Sequence, residues 1–158
     1  MYQRILVPID GSATSERALD EAIKFAQQQN SRIELVHVLE DIWYFDNENY
    51  LNYAELVQTM RYSGEKILAQ AQNKFLQAGV MVDIRLLEAQ GERVANVIIN
   101  EAKNSLADLI IIGTHGRSGF SRMLMGSIAE GVVRMAHIPI LLIRGGRHSL
   151  ESCACLSL

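Results

Sequence analysis

The chain has 158 residues, of which 49% are hydrophobic and 21% are charged. This composition predicts one globular domain with a buried core rather than a disordered chain. The formal net charge of −3 argues against a nucleic-acid-binding surface, which normally carries a basic excess. No segment approaches the roughly 18 apolar residues of a membrane span, and the first apolar run is too short for a signal peptide. We therefore expect a cytoplasmic protein.

Five short segments are apolar almost without interruption, which is typical of parallel strands buried on both faces. The segments between them carry apolar residues at helical spacing. The predicted strands are Arg4–Ile9, Arg32–Leu39, Val80–Leu87, Ala107–Ile112 and Ile138–Ile143. The predicted helices have apolar stripes over 18–26, 53–75 and 94–102, followed by a shorter helix from Ser127 to about Met135. Ser12 or Thr14 is the candidate N-cap of the first helix, and Gly79 is the candidate C′ glycine of the second.

This alternation predicts an α/β protein, a single-domain open parallel sheet of five strands with helices on both faces. Ligands in such sheets bind at the carboxyl ends of the strands, where the strand order reverses. We place the domain at residues 1–145, with Asp41–Asn49 as its one long irregular connection. Residues 146–158 are predicted to be a flexible tail. We interpret the Cys153 and Cys155 pair as part of this tail rather than as a metal site, and the rest of the chain has no cysteine.

Glycines are concentrated after the fourth predicted strand, in the segment GTHGRSGFSRMLMGS from Gly113 to Ser127. Without Cβ atoms, glycines allow positive-φ backbone and the close approach of an anion to N–H groups. Ser127 opens the next helix, whose N-terminal amides favour negative charge, and Arg117 and Arg122 add charged donors. A plain flexible loop is the alternative, but the position between a strand and a helix favours a phosphate-binding loop. Neither a Walker lysine motif nor a G-x-G-x-x-G after the first strand is present.

The spacing Gly113-x2-Gly116-x9-Gly126-Ser127 resembles the nucleotide motif in the ATP-binding branch of the universal stress protein family. The resemblance extends from Tyr2 to about Arg144, and it includes RILVPIDGS at 4–12, ELVHV at 34–38 and MGSIAEGVV at 125–133. It implies a Rossmann-like fold of the adenine nucleotide alpha hydrolase type, with ATP and Mg²⁺ as cofactors. Another branch of the family lacks the glycine pattern and does not bind ATP, whereas this chain keeps every position of it.

Position by position, the resemblance implies that Asp10 reaches the ribose side of the nucleotide or holds the metal, roles that suit a carboxylate. A helix-capping turn over residues 10–12 is the structural alternative. Pro8 and Val38 match positions that line the adenine pocket, although plain core is the commoner role of a strand valine. The predicted binding residues are Pro8, Ile9, Asp10, Val38, Ile112, Gly113, Thr114, His115, Gly116, Arg117, Ser118, Gly119, Gly126, Ser127 and Ile128, with Asp10 also the metal ligand.

Catalysis would require a base or a positioned water in addition to charge neutralisation. Asp10 and His115 are the candidates, but they do not form a convincing pair. We interpret His37 as a satisfied buried histidine and His137 as structural. We therefore predict a nucleotide-dependent regulatory module in the stress response, whose occupancy a partner protein reads. A slow ATPase or phosphotransferase that uses the same pocket is the alternative. A pure interaction protein with a vestigial loop is disfavoured by the complete set of glycines.

The closing strand, Ile138–Ile143, contains no charged residue before Arg144. As the last strand of a sheet it would expose an uncharged edge, which proteins normally cover or pair. The family resemblance implies the same arrangement, a homodimer joined through this strand. A central position in the sheet is the alternative.

Overall fold

The structure is a computed structural model that describes residues 1–41, 50–115 and 125–145. Strands and helices alternate throughout these ranges, as the sequence predicts. The strands are β1 (Arg4–Pro8), β2 (Arg32–Leu39), β3 (Val82–Glu88), β4 (Leu109–Gly113) and β5 (Ile140–Ile143). The helices are α1 (Ala13–Gln29), α2 (Tyr50–Gln77), α3 (Val94–Asn104) and α4 (Ser127–Met135). Ser12 is the N-cap of α1, and its side chain accepts a hydrogen bond from the N–H of Ser15.

Strand β3 begins two residues later than the apolar pattern predicts, because the backbone of Val80 still bonds to the last turn of α2. The N–H of Gly79 donates to the carbonyl oxygen of Leu76 at 3.0 Å, and the N–H of Val80 donates to that of Phe75 at 2.9 Å. Gly79 has a φ of 73°, which is the left-handed conformation that this helix termination requires. The predicted C′ role of Gly79 is confirmed.

All four strand pairings are parallel, and the sheet order is β3-β2-β1-β4-β5. From β1 the chain moves outward to β2 and then to β3, after which it returns to pair β4 with the other side of β1. The strand order therefore reverses between β1 and β4, which marks the place where ligands bind in sheets of this class. Strand β5 lies at an edge of the sheet, so the alternative of a central position is excluded.

Two hydrophobic layers enclose the sheet, as expected for helices on both faces. In β1, Ile5 and Val7 point to the layer covered by α1 and α2, whereas Leu6 points to the layer covered by α3 and α4. Fully buried residues of the first layer include Leu19 and Phe75. The predicted fold class is confirmed. No helix in the described ranges combines the length and apolar character needed to cross a membrane.

A charged cluster ties α3 to the edge strand β3, toward the amino ends of β1 and β2. Arg85 donates to the buried carboxylate of Glu101 at 2.6 Å and lies 3.5 Å from Glu34. Burial raises the pKa of the Glu34 carboxyl above its ordinary value, and the nearby Glu101 carboxylate raises it further. The cluster lies far from the carboxyl ends of the strands, and we assign it a structural role.

Candidate functional site

A cavity of about 610 Å³ opens at the carboxyl end of the sheet, above the reversal between β1 and β4. Its floor comes from the ends of β1, β2 and β4, and its walls come from α2, α3 and the start of α4. The sequence-predicted residues that line it are Pro8, Ile9, Asp10, Val38, Ile112, Gly113, Thr114, His115, Gly126, Ser127 and Ile128. The remaining predicted residues, Gly116, Arg117, Ser118 and Gly119, lie outside the described residues, as does most of Asp41–Asn49.

Asp10 follows β1 directly and begins a tight turn into α1. Its Oδ1 accepts a hydrogen bond from the N–H of Ser12 at 2.9 Å, and its own N–H donates to Ser15 Oγ at 3.3 Å. Gly11, between them, has a φ of 77°, which few other residues adopt readily. The predicted capping turn is therefore present, and it holds the Asp10 carboxylate at the edge of the cavity. The capping role and a ligand-binding role are compatible.

The end of β4 and the start of α4 are joined directly, although they are separated by more than ten residues of chain. The N–H of Thr114 donates to the carbonyl oxygen of Ile143 at 2.9 Å, which extends the pairing of β4 with β5. The N–H of Gly126 then donates to the carbonyl oxygen of Thr114 at 2.6 Å. The two ends of the glycine-rich segment are thus fixed side by side at the cavity.

The N-terminus of α4 opens onto the cavity without a capping side chain. Gly126 is the N-cap and, as a glycine, has no side chain with which to cap the helix. The N–H of Glu130 donates to the carbonyl oxygen of Gly126 at 2.9 Å, so the amides of residues 127–129 precede the first intrahelical bond. Ser127, Ile128 and Ala129 line the cavity. Because the first amides of a helix have no partner within it, they favour an anionic group at this position together with the helix dipole.

Neither of the two described glycines of the predicted motif has the positive φ that is expected from the sequence. Gly126 has a φ of −72°, and Gly113 is not among the positive-φ glycines, which in the described ranges are Gly11, Gly79 and Gly91. A Cβ on Gly113 would lie 2.9 Å from the backbone carbonyl carbon of Thr14 and 3.0 Å from its Cβ. Gly113 is therefore required because α1 packs directly against the end of β4.

His115 is tied to the start of α1 through its backbone. Its carbonyl oxygen accepts a hydrogen bond from Thr14 Oγ1, and Ser12 Oγ lies 3.5 Å away from the same oxygen. Its Nδ1 lies 3.0 Å from Thr114 Oγ1. These contacts hold the second residue after β4 beside the Asp10 turn, so both predicted groups belong to the same wall of the cavity.

Two walls of the cavity are not predicted by the sequence reasoning. Helix α3 contributes apolar side chains, and α2 contributes a mixed surface above the end of β2. These residues are Val94 and Ile98 from α3, Thr59, Met60 and Ser63 from α2, and Leu39 and Glu40 from β2 and the residue after it. Ser15, Val36, His37 and Ala129 complete the lining.

The 28 residues of α2 span about 42 Å, whereas the seven of β3 span about 23 Å. This difference in length was the available signal that α2 must extend beyond the sheet.

The interpretation of His37 as a satisfied buried histidine is confirmed, with one addition. The residue is 7% exposed, and its Nδ1 lies 2.8 Å from the carbonyl oxygen of Ile9. It also lines the cavity, which the sequence does not reveal. His137 lies between α4 and β5, outside this cavity.

This combination of fold and cavity defines a doubly wound α/β protein with a crevice at its topological switch point, which is where ligands bind in proteins of this class. Residues 1–144 match the model of the universal stress protein family, and the chain belongs to that family. It is 32% identical over 154 residues to the universal stress protein YxiE of Bacillus subtilis, covering 91% of this chain and all of that protein. A solved family structure from Burkholderia pseudomallei is 34% identical, with a TM-score of 0.74, and the match covers 90% of this chain and 96% of the other.

Several solved structures of this fold hold adenine nucleotides. A universal stress protein in complex with cAMP is 25% identical, with a TM-score of 0.62 over 92% of this chain and 98% of the other. A protein from Archaeoglobus fulgidus in complex with dAMP has a TM-score of 0.62 at 24% identity over 90% and 98%. An Arabidopsis thaliana protein with AMP bound has a TM-score of 0.67 at 19% identity over 96% and 97%.

Proposed function

We propose that this chain is an ATP-binding universal stress protein, a nucleotide-dependent regulatory module that acts in the cytoplasm. The single observation that carries the proposal is the N-terminus of α4, which has a glycine as its N-cap and opens into a cavity at the switch point of the sheet. A site of this kind suits a ligand with an anionic group at one end. The nucleotide complexes of structurally similar proteins support adenine nucleotides as the ligand class. We place this function in residues 1–145.

The cavity offers a different surface for each part of the nucleotide. The amides of residues 127–129 would bind phosphate, together with the predicted loop residues Gly116–Gly119. Pro8, Val38 and Ile98 provide apolar surface on which a flat base could pack. Asp10 would accept hydrogen bonds from ribose hydroxyls. Each assignment matches the chemistry of the group present.

Mg²⁺ would arrive with the phosphates of ATP. It is usually bound by one or two carboxylates together with phosphate oxygens and water. In the described ranges no group of three or more His, Cys, Asp or Glu residues could hold a metal ion, so these residues offer no dedicated cage. Asp10 is its candidate protein ligand at the cavity, and the donor set fits a metal held mainly by the nucleotide. Mg²⁺ would neutralise phosphate charge when bound.

We favour a binding module over an ATPase because the described contacts of the two candidate catalytic side chains are positioning contacts. The Asp10 carboxylate is engaged by the Ser12 N–H, and His115 Nδ1 is within reach of the Thr114 hydroxyl. An enzyme needs a base aligned on the attacking water as well as phosphate stabilisation. A regulatory role also requires a partner protein that reads the occupied state.

The first prediction separates these two functions. Heat-released supernatant from purified protein should contain ATP when analysed by chromatography. Phosphate release should be slower than about one turnover per minute, well below the ~1 s⁻¹ low end of typical enzymes. Rapid turnover that disappears in Asp10→Ala would instead show an ATPase. Protein that neither carries nor binds an adenine nucleotide would overturn the proposal.

We also propose a homodimer joined through the closing strand, predicted as Ile138–Ile143 and observed at Ile140–Ile143. Strand β5 is an edge strand, and an antiparallel pair across a two-fold axis would cover it. Leu141 and Ile143 pack against the core of their own chain. Leu142 is 36% exposed, so it is the side chain available for contact with a second copy.

The second prediction uses this exposed leucine. Leu142→Lys should convert a dimer to a monomer in light scattering at micromolar concentration, because two lysines near the axis would repel each other and lose apolar contact. Met81→Lys is the matched control, since Met81 is 87% exposed and directly precedes β3, at the opposite edge of the sheet from β5. A monomeric parent, or a Leu142→Lys variant that stays dimeric, would place the interface elsewhere.

A further inference from the structure

The imidazole of His37 connects β2 to the end of β1. The side chain is buried, and its Nδ1 lies 2.8 Å from the carbonyl oxygen of Ile9. A carbonyl can only accept a hydrogen bond, so Nδ1 carries the proton and donates. This bond joins a side chain on one strand to the backbone of the neighbouring strand, at the floor of the nucleotide cavity.

The bond extends the sheet to the residue before Asp10. Strand β1 ends at Pro8, but the N–H of Ile9 still donates to the carbonyl oxygen of Val36 at 2.9 Å. With His37 bound to its carbonyl oxygen, both polar backbone groups of Ile9 are held by β2. Asp10 therefore leaves the sheet from a fixed peptide rather than from a loose strand end.

Helix α2 holds the imidazole from the other side. A Cβ on Gly64 would lie 2.7 Å from Cδ2 of His37 and 3.2 Å from Cδ2 of Leu39. Glycine at this position thus lets the helix pack directly on the ring. Because the protein interior is closely packed, the ring has little room to rotate away from Ile9.

We propose that His37 is a positioning residue, which holds the Ile9 carbonyl so that the Asp10 carboxylate meets the ribose hydroxyls. This inference rests on the proposed nucleotide function and adds a residue that acts on Asp10 through the Ile9 peptide. The geometry after Ile9 supports it, since Asp10 is already restrained by Ser12 and Ser15. The Ile9 peptide, which directly precedes Asp10, is a further determinant of where the carboxylate lies.

The third prediction tests this role with two variants of nearly equal shape. In His37→Asn, the amide nitrogen occupies the place of Nδ1 and still donates to Ile9, whereas His37→Leu has the same branching without a donor. Affinities for ATP and for 2′,3′-dideoxy-ATP are measured by calorimetry on the full chain without Mg²⁺, so that the candidate metal-ligand role of Asp10 does not contribute. The dideoxy compound lacks the ribose hydroxyls that Asp10 would bind, so it isolates that contact.

The parent protein should bind ATP about tenfold more tightly than dideoxy-ATP, as expected for hydrogen bonds to a charged group. His37→Leu should weaken ATP binding about tenfold, leave dideoxy-ATP binding nearly unchanged and so lose the discrimination, as should Asp10→Ala. His37→Asn should keep the discrimination. Both variants lose the imidazole ring, and thermal melts of each variant measure how much this loss alone destabilises the protein.

Each contrary result has a distinct meaning. Equal weakening of both ligands by His37→Leu, or loss of discrimination in His37→Asn as well, would overturn the positioning role while the nucleotide site stands. A parent that binds ATP and dideoxy-ATP equally would overturn the ribose contact of Asp10 and the positioning role with it. A parent that binds neither would overturn the proposed function itself.

Discussion

Replacing Gly126 by Asp should abolish the rise in Tm that ATP produces, without destabilising the free protein. In the parent, a hundredfold excess of ATP over Kd stabilises the native state by about 2.7 kcal/mol, which for a chain of this size is a rise of about 5–10 °C. The variant places a carboxylate on the amides of residues 127–129, where the phosphates are proposed to bind. Two effects then weaken ATP binding, because the carboxylate repels the phosphates and also occupies the amide donors.

The same substitution suits the free helix. Gly126 has φ −72° and ψ 155°, which is the conformation of an N-cap residue, and Asp is among the preferred caps. Its charge also complements the helix dipole, so the free protein should gain about 0.3–1 kcal/mol. Differential scanning fluorimetry with and without Mg²⁺-ATP measures both effects in one experiment.

Gly126→Asn is the matched control for charge. Its amide oxygen caps the helix in a similar way, but it does not repel phosphate, so a reduced shift should remain. A Gly126→Asp variant that keeps the full ATP-dependent rise would show that the phosphates do not lie at the start of α4. The proposed site would then need to be moved.

Gly113→Ala should have the opposite signature, a loss of stability in the absence of any nucleotide. The added Cβ would lie 2.9 Å from a backbone carbon of Thr14, so α1 or the end of β4 must shift. Overpacking of this kind costs about 1–3 kcal/mol. Urea denaturation should show a lower midpoint with an unchanged m-value.

The position of the contact makes this prediction specific. Truncating Thr14 to Ala should not fully restore stability, because it removes the contact with Oγ1 at 2.8 Å but leaves those with the backbone carbon at 2.9 Å and Cβ at 3.0 Å. Gly126→Asn serves as the control here as well, since it replaces another glycine of the same segment at an ordinary φ. A Gly113→Ala variant as stable as the parent would show that the start of α1 moves at little cost.

Much of the site was accessible from the sequence because its signals are local. Buried parallel strands appear in the sequence as uninterrupted apolar runs. A carboxylate directly after such a run lies at the end of a strand, and a strand followed by glycines and a helix indicates an anion site. Ser127 could therefore be named from neighbouring residues alone. The family resemblance assigned Asp10 and Thr114 to the site, and it added Pro8 and Val38, whose residue types by themselves indicate only a core.

Contacts between segments that are distant along the chain could not be predicted from such local signals. The apolar stripe of α2 reads as core along its whole length, yet Met60 lines the cavity and Tyr53 is 44% exposed. Helical periodicity shows which face is apolar, but it does not show where the sheet beneath the helix ends. His37 likewise reads as a buried strand residue, and only its distance to Ile9 indicates a connection to the site.

The order and type of the elements can be predicted from the sequence alone, because hydrophobic periodicity and capping residues act over a few positions. The strand order β3-β2-β1-β4-β5 depends on tertiary packing, and so does the set of strand ends that share a cavity. Gly113 shows the difference most clearly. The sequence marks it as a glycine for an anion or a turn, whereas the structure shows that it must lack a Cβ because Thr14, far away along the chain, packs against it. Such a requirement arises from the packing of two segments, and no local pattern encodes it.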